Sequence, residues 1–189
     1  MVFAAIAVQE NAIYVAGMTF PYMDTARDYA ALEVGNYILG GSPTSRLFMR
    51  LRQKGGLCYG TGSQLDVDSK DPYTMFLTFA ICNPKNVDLV DRGAVQEIGK
   101  LVKEGTSAPE LDSAKKGLLE ELKVSRGDDQ EVLSMLRENL FLNRTMKYYA
   151  DLEKKIAELD VAEVNQAVAS HLNPDRLVII RAGDFKKAK

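Results

Sequence analysis

The chain has 189 residues, 46% hydrophobic and 26% charged, the balance of one ordinary soluble domain with a real core. A disordered tail, a collagen-like repeat and a small disulfide scaffold are excluded. Its 24 Lys and Arg nearly cancel its 26 Asp and Glu, so no basic field draws in phosphate backbones and no nucleic-acid partner is expected. No apolar run approaches the roughly 20 residues of a membrane span, and Val2 to Val8 is too short and lacks the basic lead of a secretory signal.

Val2 to Val8 and Ala12 to Phe20 read as strands, the second closed by Pro21. Asp24 and Thr25 are set to cap a helix in which Ala26, Ala30, Val34 and Tyr37 share a face, and Gly40-Gly41 stops it. Ser42-Pro43 then opens a second helix that runs to Gly55-Gly56. Leu57 to Val67 and Tyr73 to Cys82 follow as strands. The latter alternates Met75, Leu77, Phe79 and Ile81 with Thr74 and Thr78, the pattern of a half-covered antiparallel sheet. From Pro84 the period becomes helical up to Gly105, and Ser107 with Glu110 forms a capping box for the next helix. Helices near Asp129 to Leu142, Lys147 to Leu159 and Val161 to Leu172, a strand Leu177 to Ala182 and a solvated tail Asp184 to Lys189 complete the chain. Strands at both ends and the middle, with a block of helices between, predict one α+β domain over residues 1–189: an antiparallel sheet covered on one face by helices.

Candidate chemistry is sparse. A zinc hydrolase draws on two or three histidines or on clustered cysteines, and this chain offers His171, Cys58 and Cys82. A metal site is therefore not expected on this chain. His171 sits where a helix should end, complementing the dipole there. The two cysteines, 24 residues apart on neighbouring strands of one hairpin, read as free buried thiols. Gly40-Gly41-Ser42-Pro43 resembles a phosphate loop but lacks the Walker lysine, and Asp66, Asp68 and Asp71 lack the rest of a calcium loop. On the helix before the double glycine, Arg46, Arg50 and Lys54 share a basic stripe and Leu47, Phe48 and Leu51 an apolar one, with Arg52 at the border. Tyr59 begins the next strand, seven residues on. A planar cation beside a phenolic donor suits a peptide carbonyl or an oxyanion, although an arginine and a tyrosine at element ends are more often structural than functional.

The stretch Ile38-Leu39-Gly40-Gly41-Ser42-Pro43-Thr44-Ser45-Arg46-Leu47-Phe48, followed by Leu51-Arg52-Gln53-Lys54-Gly55-Gly56-Leu57-Cys58-Tyr59, closely resembles the substrate-side domain of the insulinase/pitrilysin zinc metallopeptidases, which include the mitochondrial processing peptidases. The resemblance extends through Asn83-Pro84-Lys85-Asn86, Gly105-Thr106 to Glu110-Leu111, Asn143-Arg144-Thr145-Met146 and Ala182-Gly183-Asp184-Phe185, and is closest to the last domain of large bacterial insulinase-like proteins. It implies a LuxS/mitochondrial-processing-peptidase-like fold. It also implies that zinc and the general base sit on an inverted His-x-x-Glu-His motif in a separate N-terminal domain, and that motif is absent here. The family's substrate-contacting arginine and tyrosine match Arg52 and Tyr59. The doubled glycine and Cys58 look like tolerated variation.

Three expectations follow from the resemblance. The chain is the substrate-binding, non-zinc half of a peptidase, with a peptide or protein substrate and a zinc-bearing partner domain, and is inactive alone; the alternative is a scaffold of the same fold, like the family's core subunits in a respiratory complex. The isolated domain exposes an apolar patch near the glycine turn and sheet edge and self-associates. An exported bacterial parent would carry its signal outside this stretch.

Overall fold

In the computed structural model, residues 2–4 and 10–185 are described, with side chains from residue 10 onward. Residues 5–8 of the expected first strand and 186–189 of the expected tail lie outside them. Five strands are seen among the described residues: β1 (Val2–Ala4), β2 (Ala12–Phe20), β3 (Cys58–Val67), β4 (Thr74–Cys82) and β5 (Val178–Ala182), in the order β1-β5-β2-β4-β3. Neighbours from β5 to β3 run antiparallel, as expected, whereas β1 lies parallel to β5. The helices are α1 (Tyr29–Asn36), α2 (Val87–Glu104), α3 (Ala108–Ser125), α4 (Asp129–Leu142), α5 (Lys147–Glu158) and α6 (Val161–His171).

Five helices layer over one face of the sheet. α2 packs on β2 and β4, α6 on α1 and α2, and α3 and α5 on the α1 side. The core joins Tyr14, Ala16 and Phe20 of β2 and Phe76 of β4 to Val90, Ile98 and Leu101 of α2 and Val164 and Val168 of α6, all buried. The covered side of β4 is the one that carries Thr74 and Thr78. Their hydroxyls donate to the Tyr22 and Ala16 carbonyls, at 3.1 and 3.3 Å, so burial leaves them satisfied.

Two helix starts differ from expectation. Asp24 and Thr25 do not cap α1, which begins at Tyr29 after Asp28. Asp24 is instead held by both guanidinium nitrogens of Arg144, at 2.5 and 2.7 Å, by Ser69 Oγ at 2.6 Å and by Tyr148 Oη at 3.1 Å. Ser42-Pro43 makes a turn in which Ser42 Oγ accepts from the Thr44 amide, and the helix begins at Arg46. Residues Tyr37–Gly41 and Phe48–Lys54 wind as π-helix, whose i→i+5 bonds rotate the chain by less than the 100° per residue that the stripe reading assumes. Gly40 belongs to packing: a Cβ there would strike the Ser63 amide nitrogen and lie 2.7 Å from the Gly62 carbonyl carbon, so only glycine lets α1's extension touch β3.

Candidate functional site

The Phe48–Lys54 segment is anchored by buried Leu47 and Leu51 and aimed by its basic residues. Arg46 pairs in bidentate fashion with Glu110, both bonds 2.7 Å, and donates to the Gly105 carbonyl at 2.7 Å. Burial pushes the Glu110 carboxyl up, but Arg46 and Thr106 outweigh it and hold it below the usual range. Arg50 leans toward Glu97. Two members of the expected basic stripe thus tie helices together, and Arg52 is left facing solvent.

The helix stops at a widened cap. The Gly56 amide donates to the Arg52 carbonyl and the Leu57 amide to the Leu51 carbonyl, each bond spanning one residue more than in the Schellman motif. Gly56 stands at φ +57°, a left-handed conformation that favours glycine, so it is a requirement of the turn and the reading of tolerated variation is corrected there. The chain then enters β3 with two successive carbonyls held by side chains: Asn86 Nδ2 donates to Leu57 O at 3.0 Å, and Arg52 Nη1 to Cys58 O at 2.9 Å. Cys58 pairs with Cys82 and Gly60 with Ile81, so Tyr59 is the extra residue of a β-bulge. Tyr59 is 56% exposed, and its hydroxyl has no hydrogen bond among the described residues. Among the described residues no carboxylate pairs with Arg52, whose remaining N–H groups are free to donate outward.

The rest of the sheet's open face is largely apolar, with exposed Thr19, Gln64 and Asp66 toward one end. Ile13, Phe79, Ile81, Val178 and Ile180 are all exposed on it, and register places Phe79 beside Val15 and Val15 beside Ile180. Exposed Leu133, Leu136, Leu140 and Phe141 add a second apolar surface on α4. The expected patch therefore lies across the sheet and along α4, broader than the glycine turn.

The donors on this chain do not fit zinc. His171 Nε2 lies 2.9 Å from Asp28 Oδ2, and its ring stacks on Phe20 and meets Tyr22 edge-on. Cys58 and Cys82 are buried, and among the described residues no group of three or more His, Cys, Asp or Glu side chains is placed to hold a metal. No helix among them is long and apolar enough to cross a membrane.

Residues 4–118 match the sequence profile of the peptidase M16 inactive domain. The chain belongs to this family. A structure titled as the peptidase M16 inactive domain from Pseudomonas fluorescens superimposes with a TM-score of 0.83 at 25% identity, covering 96% of this chain and 42% of that one. Among curated relatives of this M16 domain, the "Non-peptidase homolog YmxG" of Helicobacter pylori is 25% identical over 184 residues, 95% of this chain and 41% of its own length. The "Uncharacterized zinc protease Mb2805c" of Mycobacterium bovis is 29% identical over 142 residues, 75% and 32% respectively. The chain spans less than half the length of these relatives.

Sequence reasoning alone missed Asn86 as the residue that holds the turn before Tyr59. Its place in Asn83-Pro84-Lys85-Asn86 was visible, but its partner 29 residues earlier was not.

Proposed function

We propose that this M16 domain is the substrate-side, non-zinc half of an insulinase-type metallopeptidase, holding a peptide for hydrolysis by a zinc-bearing partner domain. The observation that carries the reading is the pair of outward donors at one corner: the spare N–H groups of Arg52 and the unengaged hydroxyl of Tyr59 on a bulge. Arg52 grips a substrate carbonyl with its planar fork, and Tyr59 donates to the oxyanion that forms when a carbonyl is attacked. Zinc and the general base belong to the other half, and no step on this chain passes through them. The open sheet face, with Ile13, Phe79, Ile81 and Ile180, supports a pairing surface for that half.

Reading the gene on either side of this sequence for His-x-x-Glu-His, then co-expressing the two halves, tests the proposal. Peptide hydrolysis by the pair that is lost in both Arg52→Ala and Tyr59→Phe supports it; unchanged turnover in both overturns it. A second reading, a non-catalytic scaffold, is favoured by the name of the Helicobacter pylori relative. Hydrolysis that needs this chain but ignores both residues would support that one.

A further inference from the structure

Cys58 and Cys82 are direct Cα partners at the end of the β3–β4 ladder, and both side chains are buried on the helix-covered face. Directly opposed residues in an antiparallel pair have Cα atoms about 4.5–5.5 Å apart, inside the roughly 4.4–6.8 Å range that a disulfide spans without backbone movement. Both sulfurs are free thiols here. We propose that Cys58 and Cys82 are an intramolecular cross-strand disulfide site, closed by exchange with a small-molecule disulfide while the chain folds, which locks the start of β3 beside Tyr59.

Folding is the moment at which closure is fast, because the nucleophile is the thiolate. Burial pushes both thiols up in the native protein, Cys82 to about 11 with a further contribution from neighbouring Cys58, so few thiolates form there. In the unfolded chain one thiolate attacks a sulfur of the small disulfide and releases a thiolate, giving a mixed disulfide. The second cysteine then attacks the protein sulfur of that bond and releases the second small thiolate. Two protein thiols are oxidised and one small disulfide is reduced to two thiols. The bond would act on the candidate site because Cys58 holds Arg52 through its carbonyl and adjoins the Tyr59 bulge.

The test refolds the reduced chain with oxidised and reduced glutathione. The expected product is a monomer with no free thiol under denaturing conditions and a non-reducing peptide map joining Cys58 to Cys82. Its Tm should lie roughly 6–12 °C above the reduced form, given the loop closed and the chain's size. Backbone amides near Tyr59 should exchange more slowly in it. Folded reduced protein should close the bond at least about tenfold more slowly than the refolding chain. Two titratable thiols in a natively folded product, or only mixed and intermolecular disulfides, would overturn the proposal; equal closure rates would overturn its timing. Cys82→Ser should give a glutathione adduct or a free thiol and no internal bond, and if that variant does not fold, the wild-type peptide map decides alone.

Discussion

Arg52 donates a 2.9 Å hydrogen bond to the carbonyl of Cys58, the peptide unit that leads into Tyr59, so the cation and the phenol of the candidate site are held by one backbone joint. One N–H of the guanidinium holds the joint and the others remain outward. Arg52→Lys keeps the charge but loses the fork that can do both at once. In the reconstituted two-half enzyme, Arg52→Ala and Arg52→Lys should both lower kcat/KM, with lysine recovering little. Tyr59→Phe should cut kcat about 10²-fold or more while leaving thermal stability within about 0.5 kcal/mol, since the hydroxyl is exposed and unengaged. Steady-state kinetics and a melting curve on each variant check this.

Asn86 should behave as a positioning residue for Tyr59. Asn86→Ala frees the Leu57 carbonyl and is expected to cost about 1 kcal/mol of stability. Hydrogen exchange should rise at Gly56 to Gly60 and stay unchanged in α4 and α5. A uniform rise across the whole domain would show a merely global effect.

Arg144 and Asp24 join parts of the chain 120 residues apart in a largely buried ion pair. Arg144→Met leaves the Asp24 carboxylate with Ser69 and Tyr148 alone and should destabilise the fold by about 3 kcal/mol, a Tm loss of roughly 6–12 °C. Differential scanning calorimetry reads it directly.

Acid should unfold the domain through a few identifiable carboxyls. Burial pushes Asp24, Asp28 and Glu110 up, but Arg144, His171 and Arg46 with their hydrogen-bonding neighbours outweigh it and leave all three below their usual range. Their contribution is therefore fully present above the unfolded carboxylate value of about 4 and is lost as pH falls through the lower folded values. Tm should fall steeply below about pH 4, with a shallower acid limb in Asp24→Asn.

Local chemistry made much of this fold legible. Ser107 and Glu110 announce α3, strand alternation marks β4, and the boundaries of α4, α5 and α6 fall within a residue of expectation. Apart from the local Ser42 turn, the main misreadings come from a partner far away in sequence. Asp24 looks like a cap because nothing nearby reveals Arg144, and Arg46 looks like part of a basic face because Glu110 lies 64 residues on. The π-helical turns and the bulge at Tyr59 likewise depend on how β3 meets β4 and the chain before it, which no single segment encodes. Arg52 and Tyr59 were nominated by the resemblance, because residue spacing alone favoured a structural role.

The strand order carries a consequence for how the molecule is made. β5, synthesised after the other four described strands, is inserted between β2 and β1, so the β2 edge that it will cover lacks this partner while β3, β4 and the six described helices are synthesised. Such an edge invites pairing with a neighbouring nascent chain, and contacts between such distant segments form slowly. Residues Val178–Ala182 thus act as a closing bolt: once they slide home, β2 is paired along both of its edges.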